Sequence, residues 1–230
     1  LTTDVIPNLQ YVFDSIKLTK SALNNRVPLI GFAGAPWTIF SYMIEGKGSK
    51  TFSEAKKMLY VNPVLSHLLL DKITTSTIAY LKEQIKSGAD IVQVFDSWAG
   101  VLSKAQYIEF ALPYMQKIAS AITEVPVILF AKDAHYILDE FAQTNCAVIG
   151  LDWTIEPQKA RSEAPNKTLQ GNLDPCVLYA DKATIKSETE KMLRAFGNQN
   201  YICNLGHGVY PDVDFEKAKY FIEVVKEFKE

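Results

Sequence analysis

The residue types that do chemistry fall in six short blocks, each just after a short apolar run. They are Gly31–Thr38 with Ser41-Tyr42-Met43 and Glu45–Lys50 behind it, Phe95–Gly100, Phe130–His135, Gly150–Trp153, Gln170–Pro175 and Asn204–Pro211. Five of the six set Gly with Asp, Ser, Asn or His, and Phe130–His135 carries Asp and His without Gly. Histidine titrates near neutral pH, so His207 can hold an anion or move a proton. A structural chain has no need of six polar strand ends.

Each candidate also has a plainer reading. His207 between Gly206 and Gly208 fits a turn, although two glycines also let backbone approach a ligand closely. Ser97 fits a helix N-cap. Tyr42 fits a half-buried packing residue, Asp152 and Asp174 fit caps, and Lys132 can pair with Asp133. Ser97, His207 and Asp152 make a triad on paper, but no GxSxG elbow supports it. Cys203 lies within a strand four residues before His207, Cys146 precedes its strand, and neither His67 nor His135 has a partner at metal-ligand spacing. The sequence predicts no metal site.

The elements that position these blocks are legible from apolar runs. Strands are expected at Leu29–Ala33, Ile91–Phe95, Val127–Ala131, Ala147–Leu151, Thr168–Gln170 and Tyr201–Asn204, most of them nearly continuous, as strands covered on both faces require. Helices are expected at Leu9–Leu23, after Thr38 as far as Ser41-Tyr42-Met43, at Val64–Lys86, Tyr107–Ile122, Tyr136–Gln143, Lys182–Phe196 and Phe215–Phe228, the last capped by Asp214. These give six β/α units in one domain over residues 1–230. A (β/α)8 barrel has eight units, so two readings stand: a doubly wound open sheet, or a barrel without its first two strands. The turn after the first strand matches neither GxGxxG nor the phosphate loop.

Composition narrows the classes. The chain has 230 residues, 48% hydrophobic and 22% charged, which excludes a disordered chain. A net charge of -2 leaves no nucleic-acid footprint. No apolar run approaches the roughly 18 residues of a membrane span, and no signal peptide is legible at a start that is Leu1. Three separated cysteines with no CxxC suit reduced thiols in a cytoplasmic protein. Arginine is scarce, at three residues against 21 lysines.

Taken together and in order, GFAGAPWTIFSYMIEGKGSK (31–50), FDSWAG (95–100), ILFAKD (128–133), GLDW (150–153), LQGNLDP (169–175) and NLGHGVYPD (204–212) resemble the uroporphyrinogen decarboxylase family along essentially the whole chain. The resemblance implies a TIM barrel, here six β/α units of a (β/α)8 fold lacking the first two strands. It implies a homodimer when complete, and no metal or organic cofactor. The implied reaction removes four acetate carboxyls from uroporphyrinogen III to give coproporphyrinogen III. The family's first two strands carry an arginine-bearing segment and an aspartate, and neither motif is among these blocks. The 230-residue chain alone is therefore expected to be inactive. Matched by motif, Tyr42 hydrogen-bonds near the reacting acetate, Ser97 and His207 bind substrate carboxylates, and Phe95 lines the cleft. The flanks of Ser97 read Asp96 and Trp98 where Glu and His are also seen. Two rivals share the fold: a zinc-dependent corrinoid-linked methyltransferase, whose His and Cys ligands are not at the matching positions, and a non-catalytic tetrapyrrole-binding barrel.

Overall fold

The computed structural model describes residues 2–229 and divides into two compact units, Leu1–Ala147 and Val148–Glu230. The first unit runs α1 (Gln10–Leu23), β1 (Ile30–Gly34), α2 (Pro36–Glu45), α3 (Ser53–Val61), α4 (Pro63–Lys86), β2 (Ile91–Asp96), α5 (Lys104–Phe110), α6 (Leu112–Ala121), β3 (Val127–Ala131) and the short α7 (Leu138–Ala142). Its strands are parallel, β1 pairing with β2 in register Ile30↔Ile91 and β2 with β3 in register Val92↔Val127. Alternate residues of β2, Val92 and Val94, are fully buried, and so are Trp37 and Phe40 of α2 and Leu70 and Leu81 of α4. Each such side chain contributes about 2–3 kcal/mol of burial.

Two polar devices hold this unit's edges. Gln84 of α4, itself buried, accepts from the N–H of Phe32 at 2.9 Å and donates to its C=O at 2.8 Å. It does for Phe32 what a neighbouring strand would do. Asp90 accepts from Lys20 of α1 at 2.5 Å and from the N–H of Leu29 at 2.7 Å, bonds that hold its carboxyl below the usual range.

The second unit runs β4 (Val148–Gly150), α8 (Pro157–Glu163), β5 (Thr168–Leu173), α9 (Lys182–Phe196), β6 (Tyr201–Leu205) and α10 (Phe215–Glu227). Its strands are also parallel, with Val148↔Thr168 and Leu169↔Tyr201 in register. Asp181 and Asp214 cap α9 and α10, accepting from Thr184 N–H at 2.8 Å and Glu216 N–H at 3.0 Å.

The expected elements shift in five places. The single helix at Tyr107–Ile122 is two, because Pro113 has no N–H to continue the ladder. The first of the pair begins at Lys104, behind a capping box of Ser103 and Gln106. Helices α3 and α8 were not expected, and the helix at Tyr136–Gln143 is a 3-10 turn followed by five α-helical residues. β5 runs three residues past Gln170, because its continuation is polar yet buried.

Candidate active site

Pro36 starts α2 one residue after β1 ends, its fixed φ suiting a first helical position. Tyr42 follows nearly two turns later and is 44% exposed. Its ring stands edge-on to Phe52, 5.7 Å away, and to Trp98, 6.2 Å away. Its packing role is therefore real, but its hydroxyl has no hydrogen-bond partner among the described residues. Ser97 sits directly after β2, beside Trp98, and is half-buried. It caps no helix: the cap of α5 is Ser103. Its hydroxyl, too, is unpartnered among the described residues. Phe95, half-buried, touches Phe32 at 6.0 Å and Phe130 at 5.7 Å, both edge-on, a row of three rings crossing β1, β2 and β3. Phe32 is 62% exposed, so this row presents aromatic surface.

Asp96, between Phe95 and Ser97, was not singled out from the sequence. It is fully buried and accepts from Thr38 Oγ1 at 2.7 Å and Tyr107 OH at 2.9 Å. Burial pushes its pKa up to about 6, against the lowering effect of those two bonds. The signal that could have found it is an aspartate closing a strand, Ile91–Asp96, whose one other polar residue is Gln93.

In the second unit, His207 lies exposed in the loop after β6. The expectation for Gly206 needs correcting: a Cβ there would stand 2.8 Å from the backbone N of Trp153, so the close approach is to the chain itself. Gly208 faces open space. Asp152 accepts from the N–H and hydroxyl of Thr154 at 2.8 and 2.5 Å, closing a turn, and Asp174 caps the 3-10 helix after β5 through Cys176 N–H at 2.8 Å. Buried Asn172 donates to the carbonyls of Asp152 at 3.0 Å and Ile155 at 2.8 Å, which fixes the loop after β4.

Lys132 and Asp133 form an ion pair at 2.5 Å, as the sequence suggested. Arg161 donates to the carbonyls of Lys167 and Asn200, Arg194 pairs with Glu190, and Arg26 donates to Leu23 O. The arginines thus serve structure. Among the described residues no three of His, Cys, Asp or Glu come together as a metal set, and no helix is long and apolar enough to cross a membrane. No disulfide joins the three cysteines, and burial pushes Cys203 up to about 11. An apolar cavity of about 340 Å³ lies in the first unit, lined by Leu9, Ile39, Met43, Leu69, Ile73 and Tyr80 among others. Its lining is mostly apolar, with Lys72 the one charged residue in it, and Phe95 and Ser97 do not line it.

A sequence model of the uroporphyrinogen decarboxylase (URO-D) family matches residues 2–228. The chain belongs to this family. It is 50% identical over 232 residues to the uroporphyrinogen decarboxylase of Christiangramia forsetii, covering 100% of this chain and 68% of that protein. It is 51% identical to that of Chlorobaculum parvum, covering 97% and 66%, and 48% identical to that of Danio rerio, covering 96% and 63%. The chain thus spans about two-thirds of the length of the curated uroporphyrinogen decarboxylases it matches. Among solved structures it resembles a methyltransferase from Methanosarcina mazei, with TM-score 0.84 and 21% identity over 94% of this chain and 64% of the other. It also resembles a B12-independent methionine synthase from Shewanella sp. W3-18-1, with TM-score 0.68 and 10% identity over 93% and 64%. At such identities the likeness shows the fold alone. That fold is α/β and TIM-barrel-like, with parallel strands and alternating helices. It matches the barrel reading and sets aside the doubly wound alternative.

Proposed function

We propose that the protein carrying this sequence is a uroporphyrinogen decarboxylase, a carboxy-lyase of porphyrin biosynthesis that converts uroporphyrinogen III to coproporphyrinogen III without metal or organic cofactor. The observation that carries this is family membership over residues 2–228. The unpartnered hydroxyls of Tyr42, whose ring packs against Trp98, and of Ser97, next to Trp98 in the chain, support it together with the Phe32–Phe95–Phe130 row, since a flat macrocycle edged with carboxylates needs an aromatic wall and hydroxyl donors.

The substrate supplies its own electron sink. A proton adds to a ring carbon of one pyrrole, making the ring iminium-like. The acetate C–CO2 bond then breaks and its electron pair flows into the ring. A proton replaces CO2 on the methylene, the ring carbon gives its proton back, and acetate has become methyl. The protein must orient each acetate, exclude water and move protons. In this reading Phe95 packs against the macrocycle, Ser97 and His207 hold carboxylates, and Tyr42 donates to the reacting acetate as charge shifts. The working protein is a homodimer in the cytoplasm, with no nucleic-acid partner.

The test is decarboxylation of uroporphyrinogen by the full-length protein, with and without a chelator. Coproporphyrinogen formed at the same rate in both is the expected result. Loss of the rate on chelation, restored by zinc, would overturn the reading in favour of metal-dependent methyl transfer.

A further inference from the structure

We propose that Asp96 is a positioning residue, whose buried carboxylate ties α2, the helix carrying Tyr42, to the loop after β2 that carries Ser97, and so sets the spacing between the two hydroxyls. This deepens the active-site reading above and rests on it.

A carboxylate only accepts hydrogen bonds. Asp96 therefore commits the one proton of the Thr38 hydroxyl, at 2.7 Å, and leaves the Thr38 oxygen to accept. That oxygen takes the backbone N–H of Trp98 at 3.4 Å. Thr38 is four residues before Tyr42 on α2, so both lie on one helix face. Trp37 Nε1 adds a second tie, donating to the Trp98 carbonyl at 3.0 Å. The loop is held by its backbone, because the Trp98 indole N–H has no partner among the described residues. On the other side, Lys132 N–H donates to the Asp96 carbonyl and Gly100 N–H to the Lys132 carbonyl, each at 3.0 Å. Ser97 has no hydrogen bond from its own side chain, so its neighbours fix its place.

No cation pairs with Asp96 among the described residues. What faces it is Thr38 from α2 and Tyr107 from α5, with Tyr136 nearby. Burying a charge without a counter-ion is costly, so a role in stability alone does not account for it. A group that accepts from both sides fixes the direction of the Thr38 bond, which is what the tie to Trp98 requires.

The experiment is steady-state kinetics of the full-length protein, comparing Asp96→Asn, Thr38→Val and Thr38→Ser, alone and with Ser97→Ala. Asn and Val are expected to raise KM about fivefold and lower kcat by a similar factor, because both hydroxyls lose register. On the Ser97→Ala background the KM effect should shrink to less than about twofold, since residues that act as a unit are non-additive. Thr38→Ser keeps the hydroxyl and should stay near wild type. Should Asp96→Asn fail to fold, the Val and Ser pair carries the test, with Val impaired and Ser intact. A fall in active enzyme with KM unchanged, or costs that add in full to Ser97→Ala, overturns the proposal while the site stands. Wild-type kinetics in both Ser97→Ala and Tyr42→Phe instead overturns the site itself, and this proposal with it.

Discussion

The three polar side chains proposed to meet substrate divide by what each is proposed to hold. Ser97 is half-buried on a pinned loop and His207 is exposed after β6, places suited to carboxylates present in ground state and transition state alike. Ser97→Ala and His207→Asn are therefore expected to raise KM about tenfold with kcat little changed. Tyr42 is assigned to the acetate whose charge moves, so Tyr42→Phe should lower kcat more than it raises KM. Wild-type constants in all three would mean that turn and packing residues had been mistaken for a site. Asp96 yields a prediction in pH. Its pKa rises from 3.8 to about 6 on folding, so between those values the native state binds more protons than the unfolded state. Stability then falls as pH rises from about 4 to 6, and the cost is complete above that, at most about 3 kcal/mol. Tyr107 and Tyr136 face the carboxyl, but burial pushes the first well above its usual value and the second to about 12, so neither titrates in this window. Urea unfolding should show Asp96→Asn gaining on wild type between pH 4.5 and pH 7.5. An equal difference at both pH values would mean that the carboxyl is not held against its charge. A variant that is relatively more stable at neutral pH yet slower is what separates positioning from scaffolding.

At the level of elements, the sequence was legible where burial is two-sided. The runs that begin at Ile91 and Val127 each form a strand because apolar residues dominate them, Gln93 being the one polar residue before Asp96. It was opaque where polar groups are buried. β5 continues through Gly171, Asn172 and Leu173, a stretch that reads as a turn but whose asparagine bonds two carbonyls of a neighbouring loop. Helix α3 lies between a glycine-bearing loop and Pro63, with Glu45 accepting from its first N–H groups at 3.1 and 3.4 Å, a long-range cap that no local pattern announces. The same limit hid Asp96, whose partners Thr38 and Tyr107 come from two other elements. Tyr42, Phe95, Ser97 and His207 are candidates because they stand in blocks that match the family's motifs, Ser97 and His207 just past a strand end and Tyr42 within α2. Gly171 shows why a glycine can be required there. Its φ is +137° and a Cβ would stand 2.5 Å from the Leu151 carbonyl oxygen. Gly171→Ala should cost about 2–4 kcal/mol in chemical denaturation. A loss under 1 kcal/mol, on the scale of an ordinary surface change, would mean the β4–β5 packing relaxes freely.

For the whole molecule, the outer surface carries a feature that the site does not use. Val64, Leu65 and Leu68 fall at helical spacing at the start of α4 and are 70%, 48% and 57% exposed, and Tyr60 and Val61, just before them at the end of α3, are each 74% exposed. Scattered apolar residues on a surface need no explanation, but five in one stretch make a patch of the kind that marks a protein interface. A symmetric dimer is the simplest cover, because one self-complementary patch serves both subunits. This is the surface offered for the proposed homodimer. Light scattering on the full-length protein should give twice the subunit mass, and the double change Val64→Glu with Leu68→Glu should give the monomer. Both positions are exposed, so the charges should leave the fold of the separated subunit intact by circular dichroism. If the variant stays dimeric, the interface lies elsewhere and this stripe is covered by something else. If wild type is monomeric at micromolar concentration, the homodimer itself is wrong, and the decarboxylation chemistry assigned to Tyr42, Phe95, Ser97 and His207 is left standing, since none of those four residues belongs to the stripe.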